Sequence, residues 1–166
     1  MATKTDFTTE EWSHVLGSVM MAGMAVTLPD PSGLIGMTKE GLASGSALVA
    51  AKTDPNANAL IKSVVSDFET SEGRAAARSI IQGELAGKKP SEMKQTILAA
   101  LAQSATLVDT NAPEDAAGFK AWLRQISERV ANASSEGGFM GFGGVKVSDA
   151  EKASLDDISK ALKIAI

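Results

Sequence analysis

The chain has 166 residues, with 16 Lys plus Arg against 20 Asp plus Glu, a formal net charge of -4, one His and no Cys. That length fits one domain able to bury roughly 70% of the surface its unfolded form would expose, so neither a disulfide nor a metal is needed for stability. The acidic balance excludes the basic face of a dedicated nucleic-acid binder, and the absence of cysteine excludes disulfides, thiolate catalysis and Cys-ligated zinc together.

The opening MATKTDFTTEEW is polar and acidic and lacks the parts of a signal peptide. Residues 1–6 read as a flexible tail on a single domain spanning 1–166, expected in the cytoplasm. Thr8 and Glu11 form a capping box, with Phe7 and Trp12 flanking it as a hydrophobic staple. Trp12, Val15, Leu16, Val19, Met20, Gly23, Val26 and Thr27 then recur at helical spacing up to Leu28, and Pro29-Asp30-Pro31-Ser32-Gly33 stops the helix. The run Val15 to Leu28 is uncharged but several residues short of the roughly 20 needed to span a bilayer, so it reads as a buried core helix.

A second helix is expected from about Gly36 to Lys52, carrying Met37, Leu42, Leu48 and Val49. Its Gly41 and Gly45 suggest a place where another backbone comes close. Asp54-Pro55 reads as a cap with proline at the first helical position, leading into the stripe Ala57, Leu60, Ile61, Val64, Val65 and Phe68. Thr70 or Ser71 starts a segment through Ile80, Ile81 and Leu85 that closes at Gly87. Pro90-Ser91-Glu92 opens one carrying Met93, Ile97, Leu98, Leu101, Ala105 and Val108. After a break at Asp109 to Ala112, Pro113-Glu114-Asp115 begins a long helix with Ala116, Phe119, Leu123, Ile126 and Val130 inward and Gly137 at its end. A second capping box, Ser148 with Glu151, opens a last helix with Leu155, Ile158 and Leu162 on one face. Aromatics are 4% of the chain, Tyr is absent and alanine abounds. The expected fold is therefore all-α, a compact bundle of about seven short to medium helices packed closely on small side chains, without a sheet.

The Trp12-x-x-Val15 start, the Asp30-Pro31-Ser32-Gly33 turn and the ending GGFMGFGGVKVSDAEKASLDDISKAL together resemble a family of uncharacterised bacterial all-helical proteins over most of the chain. More faintly, GVKVSDAE followed by a short amphipathic helix is similar to tellurite-resistance TerB-like domains. Those carry an acidic residue and a glycine in the turn where Phe142-Gly143-Gly144 stands here. The resemblance implies a helical fold and no activity, and no functional residue is carried over from it.

Motifs with chemical content fail on spacing. In Glu136 to Glu151, Val145 separates Gly144 from Lys146 and Val147 separates Lys146 from Ser148, so the glycine-rich stretch is not a phosphate-binding loop. A dinucleotide fingerprint would need glycine at Lys146. Glu11-x-x-His14 matches half of a bundle di-iron site, but His14 is the only histidine. Asp54 to Asn58 begins like a calcium loop, yet Ala59 stands where glycine is required and Val65 where a bidentate glutamate is required. Met20, Met21 and Met24 read as core filler rather than a thioether metal site. Adjacent Glu114-Asp115 and Asp156-Asp157 diverge by about 100° on a helix and make no catalytic pair. No cofactor, metal or catalytic set is assigned.

What remains is the apolar Gly-Phe stretch, in which Phe139, Met140 and Phe142 are the candidate partner or ligand contacts. They are read first as a plug folded over the bundle, then as a surface for a protein partner or a second copy; membrane contact is the weaker reading, since no Lys or Arg cluster flanks the loop. The leading functional expectation is a non-enzymatic interaction or scaffold-type protein. The alternative is a carrier of a small apolar ligand or lipid in an inter-helical cavity.

Overall fold

The computed structural model describes residues 1–28, 45–135 and 147–164. Among them the chain forms a compact all-α bundle without a strand. A 3-10 turn, Lys4–Asp6, precedes α1 (Thr9–Thr27), α2 (helical residues 45–53), α3 (Ala59–Phe68), α4 (Ser71–Leu85), α5 (Pro90–Asn111), α6 (Pro113–Ser135) and α7 (Asp149–Ala161).

The first helix begins where its capping box places it. The Glu11 amide donates to the Thr8 hydroxyl at 3.2 Å, and the Thr8 amide donates to the Glu11 carboxylate at 2.8 Å. The Thr8 backbone amide first, and its hydroxyl second, hold the Glu11 carboxyl below the ordinary glutamate range. Phe7 and Trp12 close the staple with ring centroids 5.5 Å apart. Ser148 and Glu151 cap α7 in the same way, and Glu92 accepts from the Lys89 amide at the start of α5.

Helix α1 is the axis of the bundle. It packs against α3, α4, α5, α6 and α7, and it is apolar on most of its circumference because it has neighbours on most sides. Trp12, Val15, Leu16, Val19, Met21, Ala22, Ala25 and Val26 are all buried. Hydroxyls reach its backbone from the surrounding helices: Ser127 donates to the Ala22 carbonyl at 2.8 Å and Ser104 to the His14 carbonyl at 3.2 Å. Both serines are buried and thereby satisfied. Where α1 crosses α4, a Cβ on Gly17 would lie 3.1 Å from the Ile80 side chain, so the glycine sets how closely the two helices approach. Among the described residues no helix is long and apolar enough to cross a membrane.

Four expectations are corrected or displaced. Asp54-Pro55 does not start α3. The Asp54 carboxylate accepts the Asn56 amide at 2.8 Å and its carbonyl accepts the Ala57 amide at 3.2 Å, which makes a turn. The helix starts later, capped by Asn58, whose side-chain oxygen accepts the Ile61 amide at 2.9 Å. The break expected from Asp109 begins only after Asn111, to which α5 continues, and on α2 Val49 is exposed while Ala47 and Ala51 are buried. Among the described residues no atom comes within 4 Å of a Cβ built on Gly45, and Gly41 lies outside those residues.

Residues 1–6, read as a tail, lie against the bundle. The Ala2 amide donates to the buried Asp115 carboxylate at 2.6 Å, the Lys4 amide donates to the Ser63 hydroxyl, and the Lys4 ammonium sits 2.9 Å from Asp67. Asp67 also accepts the Trp12 indole N–H at 2.7 Å, which ties the N-terminal turn, α1 and α3 into one polar junction.

Candidate functional site

Among the described residues the sequence candidates do not converge. Phe139, Met140 and Phe142 lie outside the described residues. His14 is half-buried on α1, and no group of three or more His, Asp or Glu side chains suited to a metal occurs among the described residues. Met21 is buried while Met20 and Met24 are partly buried against the same core. The adjacent carboxylates diverge as expected: Asp115 is buried beneath Ala2 while Glu114 is exposed, and Asp157 pairs with Lys94 at 2.9 Å while Asp156 faces solvent.

The concavity with mixed chemistry lies elsewhere, between the 45–58 segment and α6. It is a cleft of about 290 Å³, near the small end of ligand pockets, which span roughly 300–1,000 Å³. One wall is the end of α2 and the turn after it, contributing Ala47, Ala50, Ala51, Asp54 and Asn56. The other is one face of α6, where Gly118, Trp122, Gln125 and Arg129 follow one another at helical spacings of four, three and four.

Local packing explains why this space is open. Asn58 has two roles: its oxygen caps α3, and its amide nitrogen donates to the Asp115 carbonyl of α6 at 2.8 Å. A Cβ on Gly118 would come within 2.7 Å of that nitrogen, so glycine allows the side chain to reach α6. This bond pins the start of α3 to α6, while the small side chains of α2 leave the gap above it unfilled. Trp122, 7% exposed, packs on Phe119 with ring centroids 5.8 Å apart and forms part of the apolar lining.

Asn58 is taken up by the fold, whereas the charged side chains around the cleft are not consumed by ion pairs among the described residues. Arg129 is exposed, and no ion pair or hydrogen bond to its guanidinium occurs among the described residues, whereas Lys4, Lys52, Lys94, Lys120, Arg124 and Lys152 each pair with a carboxylate. Asp54 uses one carboxylate oxygen for the Asn56 amide and pairs with no cation among the described residues. The cleft thus holds one cation and one anion on facing elements, with an apolar lining of Trp122 and alanines.

Sequence reading missed Gly118, Trp122, Gln125 and Arg129 because α6 was read only for its core stripe. A glycine inside a helix, with Trp and Arg on its own face, was the available signal. A second hollow of about 230 Å³ borders Asp6, Glu114 and Asp115, but the Asp115 carboxylate is taken by Ala2 and that of Asp6 by the Thr3 amide. No protein-family model, curated protein or solved structure matches the chain.

Proposed function

We propose that the protein is a non-enzymatic binding protein and that the cleft between the 45–58 segment and α6 receives a small amphiphilic molecule. The supporting observation is the combination in one hollow of an alanine and Trp122 lining with Arg129 and Asp54, neither of them paired with an opposite charge among the described residues. Elsewhere on the bundle Lys4, Lys52, Lys94, Lys120, Arg124 and Lys152 each meet a carboxylate, and a cleft that places both signs open beside an apolar lining fits recognition. This reading refines the expected carrier of an apolar ligand, because a purely apolar molecule would leave both charges without a role. It takes precedence over an interaction protein acting through Phe139, Met140 and Phe142, since the cleft has a geometry to support it.

Thermal-shift screening of small amphiphiles tests the reading against an Ala121→Trp variant. Ala121 is exposed and borders the cleft, so the indole fills the hollow without entering the core. A ligand at about one hundred times its Kd stabilises the wild-type protein by about 2.7 kcal/mol, or several degrees in Tm for a chain of this size. The variant is expected to keep its own Tm near that of the wild type and to lose the ligand-induced rise. Ligands that stabilise both proteins equally, or no stabilising ligand at all, would contradict the reading.

A further inference from the structure

Resting on the cleft as a binding site, the geometry points to a particular ligand class: a free zwitterion with a short apolar side chain, its carboxylate on Arg129 and its ammonium on Asp54. A guanidinium presents parallel N–H donors that match a carboxylate in bidentate fashion, and on α6 it is the cation bordering the hollow. It stands one helical turn beyond Gln125, whose side-chain amide is also without a partner among the described residues and can add a donor to the same carboxylate. Asp54 follows the last residue of α2, so the negative end of that helix lies beside its carboxylate and adds to its preference for a cation. The Thr53 hydroxyl donates to the Ala50 carbonyl at 3.2 Å, which keeps that helix end ordered without neutralising Asp54.

The two charges belong to facing elements and do not pair with each other among the described residues. A simple anion would satisfy Arg129 and face Asp54 unfavourably; a simple cation would do the reverse. A molecule carrying both signs matches both charges of the lining and leaves its side chain for the alanines and Trp122. The small volume sets the size of that side chain: a branched aliphatic group fits the hollow, whereas a long acyl chain has no room.

Calorimetric titration of the full chain with three probes of nearly equal shape tests this: L-leucine, 4-methylpentanoate, which lacks the ammonium, and 3-methylbutylamine, which lacks the carboxylate. L-leucine is expected to bind at least about tenfold more tightly than either analogue. Arg129→Gln should remove its advantage over 3-methylbutylamine, and Asp54→Asn, which keeps an oxygen for the Asn56 amide, should remove its advantage over 4-methylpentanoate. Both variants should unfold at the wild-type temperature. Equal affinity for the three probes, or ratios that the two variants leave unchanged, overturns the charge assignment; if that binding still disappears in Ala121→Trp, the cleft reading survives alone. Binding of none of the three overturns the inference, and the amphiphile screen then decides the cleft separately.

Discussion

Gly73→Ala is expected to destabilise the protein by about 2–4 kcal/mol, whereas Gly83→Ala in the same helix should stabilise it by about 1 kcal/mol. Propensity alone would predict a gain at both positions. Gly73, however, is in the first turn of α4, where its amide donates to the capping Thr70 hydroxyl at 2.9 Å. That hydroxyl donates in turn to the Asp67 carbonyl at 2.7 Å. The chain turns so tightly between α3 and α4 that a Cβ on residue 73 would be 2.1 Å from the Asp67 carbonyl oxygen. Backbone must move to relieve this, and the residue displaced is the one whose carboxylate holds the Trp12 indole and Lys4. A Cβ on exposed Gly83 meets nothing within 4 Å among the described residues. Urea unfolding of the two variants should therefore move the midpoint in opposite directions. Equal gains would mean that α3 and α4 do not approach as described.

Phe119→Ala should cost about 3–5 kcal/mol, a large share of the 5–15 kcal/mol that holds a typical domain together. Phe119 has no exposed surface and lies on α6, which packs against α1, α3, α5 and α7, so few atoms are free to collapse into the space it leaves. Its ring also supports Trp122. The same variant is therefore expected to weaken ligand binding by loosening one wall of the cleft. Phe119→Leu, which leaves a smaller void, should cost less than Phe119→Ala, and Gln125→Ala, at an exposed position, should fall within about 0.5 kcal/mol of zero. A Phe119→Ala protein as stable as Gln125→Ala would remove α6 from the core.

The helix starts were legible wherever a local device sets them. Thr8 with Glu11, Thr70, Pro90, Pro113 and Ser148 with Glu151 all begin helices where the sequence places them, because a cap is a contact between residues three apart. The start misplaced among the described residues has two caps in series. Asp54 and Asn58 are both competent, and Asn58 also bonds α6 through the Asp115 carbonyl, a long-range contact that local pattern cannot reveal. The N-terminal turn was misread for the same reason: its anchors, Asp67 and Asp115, are distant in sequence. The cleft escaped because it is made by what is missing, small side chains on α2 facing an α6 stripe in which Trp122 and Arg129 each look ordinary alone. The Gly-Phe stretch that dominates the sequence lies outside the described residues.

The cleft assignment is tested most directly by following the two indole N–H resonances while L-leucine is added to the labelled protein. The chain has only two tryptophans, and they report on different places: Trp122 lines the cleft, and Trp12 is tied to Asp67. The Trp122 signal should shift and saturate while the Trp12 signal stays fixed, with the shift abolished in Ala121→Trp, whose added indole contributes a third resonance. A Trp12 shift with Trp122 unmoved, or a Trp122 shift that persists once the cleft is filled, would place the ligand elsewhere and contradict the account.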